Sequence, residues 1–169
     1  MQNRLRGLSI PLDPKGKAVS TESDLINLYS GRILALAADI PHSARLDNPQ
    51  ASAKRRSPLC GSTVSVDLDL ENGRVSRFGQ EVRACALGQA SAAVLGANVI
   101  GRTREEIETA LGELRAMLKE GGPVPSPPFD GLEVLAPARD YRNRHASIML
   151  AFDATLEAIK EAERKSACA

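Results

Sequence analysis

Residues 64–70 alternate without interruption: Val64, Val66, Leu68 and Leu70 are apolar, and Ser65, Asp67 and Asp69 between them are polar. A period of two puts the two sets on opposite sides of an extended chain, so the stretch is predicted as a half-buried strand with its aspartates in solvent. Glu71-Asn72-Gly73 follows, and Asn-Gly tolerates the positive φ of a tight turn. Val75 and Phe78 begin a return strand that runs toward Val82, and so short a connection makes the pair antiparallel.

Helical patterns surround this hairpin. Leu25, Ile26, Leu28, Tyr29, Ile33, Leu34, Leu36 and Ala37 recur at helical spacing, with Ser23 or Thr21 as the cap. Pro41 disfavours the helical conformation of its predecessor and ends that helix near Asp39 or Ile40. Residues 41–58 are polar and basic and are expected as an exposed loop, with Lys54, Arg55 and Arg56 in a solvated turn. From Leu87 to Leu95 the residues are small and apolar, suited to a buried helix lying close on a sheet and ended by Gly101. Thr103 and Glu106 form a capping-box signature for a helix carrying Ile107, Leu111, Leu114 and Leu118 on one face. Residues 121–131 are rich in Pro and Gly and form a linker, after which Leu132, Val134 and Leu135 pack as a short turn. A final helix is expected over about 142–164, with Ile148, Leu150, Ala151, Ala154, Leu156 and Ile159 as its apolar set. Strands grouped early and helices late give an α+β fold: a small antiparallel sheet covered by helices on one face, with a long C-terminal helix. Residues 1–20, broken by Pro11, Pro14 and Gly16, are expected as a flexible arm, 21–165 as one domain and 166–169 as a disordered tail.

Composition narrows the function classes. The 169 residues fit one domain and are enough for a core without disulfide staples. With 22 basic and 21 acidic residues the net charge is +1, too little for a global field that holds nucleic acid or an acidic membrane. Aromatics are 3% with no Trp, which disfavours base stacking. No apolar run approaches the length of a membrane span, and no signal-like apolar region follows Arg4 and Arg6. The odd cysteine count (Cys60, Cys85, Cys168) does not read as a disulfide framework, so the expected compartment is a reducing cytoplasm with free thiols.

Three residues stand at element boundaries with chemistry to offer. Cys60 precedes Gly61, whose lack of a side chain lets the backbone approach a bound group. Cys85 lies at the start of the small-residue helix, where the dipole and free N–H groups favour a thiolate. His145 lies in the first turn of the final helix. On these residues alone two readings stay open: a metal site of two Cys and one His, or cysteines that fill space beside a helix-surface histidine. Cys168 reads as an exposed bystander, and His42 as an exposed loop residue or a distant ligand. Arg139, Arg142 and Arg144 steer an anion toward His145 or are solvated charges. Asp67 and Asp69 have no third polar group to make an acid–base pair, and no glycine-rich phosphate loop is present.

The order of short motifs supplies a resemblance. Ser57-Pro58-Leu59-Cys60-Gly61-Ser62 is similar to the Asn-Pro-x-Cys-Gly-Asp signature of the U-type iron–sulfur cluster scaffolds, the IscU, SufU and NifU N-terminal family. The hairpin with Asn72-Gly73 and Phe78-Gly79 follows as it does there. Ala84-Cys85-Ala86-Leu87-Gly88-Gln89-Ala90-Ser91 resembles that family's Gly-Cys-Ala-Ile-Ser-x-Ala-Ser. Arg142-Asn143-Arg144-His145-Ala146-Ser147-Ile148 resembles its last-helix Arg-x-x-Cys-Ala-x-Leu, and Leu28-Tyr29 a Leu-Tyr of its first helix. The match covers about residues 24–160. It implies a scaffold or carrier rather than a turnover enzyme, one that binds iron or a [2Fe–2S] cluster, takes sulfur from a cysteine desulfurase and serves apo iron–sulfur proteins. It implies Cys60, Cys85 and His145 as ligands, with His145 at the third cysteine position and Ser62 at the aspartate position. A Ser hydroxyl is not ionised near pH 7 and replaces a carboxylate poorly, and an imidazole carries less negative charge than a thiolate. Two alternatives therefore stand beside the scaffold: a zinc-binding persulfide acceptor, and a degenerate paralogue that binds partners without metal.

Overall fold

The computed structural model describes residues 29–168, and the expected arm over 1–20 and the caps Thr21 and Ser23 lie outside them. Helix α1 (Gly31–Ala38) starts at Ser30, whose hydroxyl accepts from the Ile33 amide. Strands β1 (Ala51–Arg56), β2 (Thr63–Glu71) and β3 (Arg74–Arg83) form one antiparallel sheet in the order β1-β2-β3. Helices α2 (Ala86–Asn98) and α3 (Arg104–Glu120), a 3₁₀ segment (Asp130–Asp140) and helix α4 (Arg142–Ala167) complete the chain. The architecture is α+β with a long C-terminal helix, as the periodicities predict.

The β2–β3 hairpin turns at Asn72 and Gly73, both at positive φ, which suits the twist of the two strands. Thr103 and Glu106 make both bonds of the capping box, and α3 ends at Gly121 in the left-handed conformation. Helix α4 runs to Ala167, into the stretch expected as a tail. It packs against β1 and β2 and also against α2 and α3. Ile148, Phe152, Ala154 and Ile159 are buried along it, facing a core that includes Val64, Val66 and Leu68 of β2.

Two expectations are corrected. Residues 41–58 are not all loop, because β1 pairs with β2 from Ala51↔Leu68 to Arg56↔Thr63. Charged Lys54, Arg55 and Arg56 hide this strand from a hydrophobicity pattern while suiting an edge that must not pair further. Nor do Asp67 and Asp69 both face open solvent. The chain between α1 and β1 lies over that side of the sheet, and Asp67 is 1% exposed. Arg45 grips it with two bonds, Nε–Oδ2 at 2.6 Å and a second guanidinium nitrogen to Oδ1 at 2.8 Å, while the Leu46 amide donates to Oδ2 at 3.1 Å. The Arg45 hydrogen bonds hold the Asp67 carboxyl below the usual carboxylate range.

Candidate functional site

Cys60 belongs to the loop that joins β1 to β2. The Ser57 amide donates to Ser62 O at 2.8 Å and the Gly61 amide to Ser57 O at 3.0 Å, so residues 57–62 close into a tight tip. Gly61 takes a φ of +71°, which a side chain would oppose. This closure turns Leu59 and Cys60 outward, and Leu59 is 75% exposed. Cys85 reaches the same place from the end of β3, as the N-cap of α2, and is half-buried.

Between the thiols stand two buried serines. Cys60 Sγ is 3.1 Å from Ser62 Oγ, Ser62 Oγ is 3.0 Å from Ser147 Oγ, and Ser147 Oγ is 3.6 Å from Cys85 Sγ. The Cys60 thiol also donates to Ser57 Oγ at 3.3 Å. One hydrogen-bonded chain thus joins the hairpin tip, the N-terminus of α2 and the second turn of α4. Small side chains permit the approach of the two helices. A Cβ on Gly88 would stand 2.8 Å from Ser147 Oγ and 3.0 Å from Ser147 O. Hydrogen bonds from Ser57 and then Ser62 favour the thiolate, and they bring the Cys60 thiol down from its ordinary value to about 7.

His145 does not join the two cysteines. It is buried, and its Nε2–H donates to Ala138 O at 2.9 Å. Each residue of an α-helix turns about 100°, so His145 and Ser147 are about 200° apart around α4, and a helix that aims Ser147 at the thiols aims His145 at the 3₁₀ segment. Among the described residues no three His, Cys, Asp or Glu side chains gather as a metal site. The third corner expected at His145 is filled by Ser147, which sequence reasoning missed. Its signal was slight: a lone hydroxyl two positions on, at the head of the apolar run Ile148 to Phe152. His42 is exposed at φ +56°, with its ring edge-on to Phe78 at 6.2 Å. Arg139 and Arg142 are exposed, Arg144 is half-buried, and none of the three is ion-paired with another described residue.

The donor set is therefore two thiols and two neutral hydroxyls. The thiols suit iron or zinc, which bind sulfur as thiolate. Each hydroxyl is already turned to a sulfur or to the other hydroxyl, which suits it to donate to thiolate sulfur.

No protein-family model matches the chain. Among curated proteins it is 26% identical over 137 residues to the iron–sulfur cluster assembly scaffold protein IscU of Thermotoga maritima, over 81% of this chain and 96% of that protein. The protein of the same name from Streptococcus pyogenes is 26% identical over 139 residues, covering 82% of this chain and 86% of that one. Among solved structures, the N-terminal part of a nitrogen-fixing NifU-like protein from Brucella abortus is 44% identical, with a TM-score of 0.81 over 84% of this chain and 99% of that one. A protein of Fervidobacterium islandicum described as an iron–sulfur cluster assembly scaffold for the SUF system shares the fold at 18% identity, with a TM-score of 0.71 over 79% of this chain and 98% of that one.

Proposed function

Because the chain belongs to the U-type family of iron–sulfur cluster assembly scaffolds, that of the IscU and NifU N-terminal proteins, we propose that it holds iron or a nascent [2Fe–2S] cluster at Cys60 and Cys85 and passes it to apoproteins. The observation that carries this reading is the hydrogen-bonded chain that runs from Cys60 through Ser62 and Ser147 to Cys85, across three separate elements. A thiolate pair at an exposed tip binds cargo without enclosing it, which is what a carrier needs. Ser57 and Ser62 favour ionisation of Cys60, so the protein meets metal with less proton to displace. On this reading the protein is a carrier and not a turnover enzyme, and its partners are a cysteine desulfurase and apo iron–sulfur proteins.

A second reading rests on one observation, the exposure of a thiol that ionises near neutrality. Attack on a sulfur–sulfur bond is fastest when the attacking thiol titrates close to ambient pH. Cys60 Sγ would attack the terminal sulfur of a desulfurase persulfide. A new S–S bond forms on Cys60, the donor's S–S bond breaks, and the electron pair leaves on the donor cysteine thiolate. In this reading zinc on Cys60 and Cys85 holds the thiolates until sulfur arrives.

Anaerobic purification with iron, sulfide and zinc measured per chain separates the two. Iron with matching sulfide, lost when Cys60→Ala and Cys85→Ala are combined, is expected for the scaffold. Zinc alone, lost in the same variant, favours the sulfur acceptor. Metal content unchanged in the double variant rejects both.

A further inference from the structure

Resting on the carrier reading above, we infer that the protein that exchanges cargo at Cys60 presents an acidic polypeptide segment, which docks on the outer face of the sheet next to the cysteine tip. Alternation along β2 sends Val64, Val66 and Leu68 to the core and Thr63, Ser65 and Asp67 to the other side. Strand register extends that outer face into three rows: Ser52–Asp67–Gly79, Lys54–Ser65–Glu81 and Arg56–Thr63–Arg83. The chain between α1 and β1 covers the first row, with Arg45 on Asp67 and Ala44 over Gly79. It stops there. In the other two rows Lys54, Arg56, Glu81 and Arg83 are exposed, and together with Gly61 of the tip these rows line a groove.

Charge and spacing specify the occupant. Three cations stand in the groove against the single carboxylate of Glu81, which pairs with Arg83 at 3.1 Å. Lys54 and Arg56 form no ion pair with another described residue. These two are separated by two residues of one strand, about 7 Å, and Arg83 lies two strands across from Arg56, about 10 Å. The shorter spacing is that of alternate side chains on an extended peptide. A segment with an acid at every second position, lying along β1, therefore meets both free cations, and the Ser65 and Thr63 hydroxyls lie on the groove floor between the strands. So few cations do not hold a nucleic acid, whose binding is built from many phosphate contacts. Leu59 of the tip, 75% exposed, offers an apolar contact that a protein covers and a phosphate polymer does not. Arg56 joins the two features, because one of its guanidinium nitrogens is 3.9 Å from where a Cβ on Gly61 would stand. An occupant of the groove thus abuts the loop that carries Cys60.

The probe is a capped peptide of alternating glutamate and serine, titrated into the full chain labelled with nitrogen-15 and followed by amide chemical shifts; a lysine–serine peptide is the control. Shifts are expected over 52–56, 63–65 and 81–83 and at the tip, with none from the lysine peptide. Combining Lys54→Glu with Arg56→Glu is expected to weaken binding about tenfold, the effect of losing two exposed charge contacts. Sodium chloride at about 1 M, where charges are screened within about 3 Å, abolishes it. Should the reversed variant lose its folded spectrum, Lys54→Gln with Arg56→Gln replaces it, with a smaller weakening expected. Shifts confined to other faces, or an affinity that neither variant changes, overturn the docking face. Tighter binding of an oligothymidylate of equal charge, or of phosphatidylglycerol vesicles, also overturns it, as does sedimentation showing that wild type self-associates through these residues. Metal content separates this result from the carrier reading. No peptide binding with normal iron loading rejects the docking face alone. Peptide binding by a chain whose combined Cys60→Ala, Cys85→Ala variant keeps its metal rejects the carrier reading and leaves the docking face standing.

Discussion

At Cys60 a single sulfur meets two hydroxyls, and its ionisation follows from that contact. Alkylation by iodoacetamide is expected to rise through a midpoint near pH 7, below the ordinary thiol value of about 8.5. Removing the largest contributor with Ser57→Ala moves the midpoint upward, and an unchanged pH profile contradicts the assignment. Asp67 shows the same logic for a carboxyl. Its folded-state pKa is depressed by Arg45, so its stabilisation is present in full above the unfolded carboxylate value of about 4 and is lost as pH falls through the folded value. Asp67→Ala is expected to cost about 2 kcal/mol in urea unfolding at pH 7, with the difference from wild type shrinking below pH 4. Cys60 and Cys85 were legible as candidates because each stands at a boundary beside small residues. Ser147 was not, since a neutral hydroxyl in an apolar helix gives no pattern, and a shift of two residues along α4 exchanges one face for the other.

At the scale of elements, the alternation in β2, the Asn72-Gly73 turn and the Thr103–Glu106 capping box were all readable, because each is a local rule obeyed by adjacent residues. Strand β1 was hidden, since its partner is β2 and its own residues are mostly polar. Its recovery changes the account of the site: it makes the cysteine loop a hairpin tip anchored on two sides. The cover over Asp67 was hidden for the same reason, because the chain between α1 and β1 is polar yet lies on the sheet. Gly79 permits that cover, as a Cβ there would collide with Ala44 O and come within 3.2 Å of Leu46 Cγ. Gly79→Ala is expected to cost about 1–3 kcal/mol, read as an unfolding midpoint shift at constant slope. Gly88→Ala is the counterpart within the site. It crowds Ser147 from α2, so it is expected to weaken metal binding as well as stability, whereas Gly79→Ala alters stability alone.

Across the whole molecule, α4 is the organising element. It packs against the sheet and against α2 and α3, so one helix carries both the core residue Phe152 and Ser147 of the candidate site. The candidate site is therefore buried on its α4 side, at Ser147, and exposed on its Cys60 side. Metal retained per chain after anaerobic iron loading of wild type, Cys60→Ala, Cys85→Ala and His145→Gln tests this most directly. His145→Gln keeps a donor for Ala138 O and leaves the thiol pair untouched. Wild-type metal content is expected in His145→Gln, and its loss in each cysteine variant. Loss in His145→Gln with the fold intact, or full retention in either cysteine variant, contradicts it.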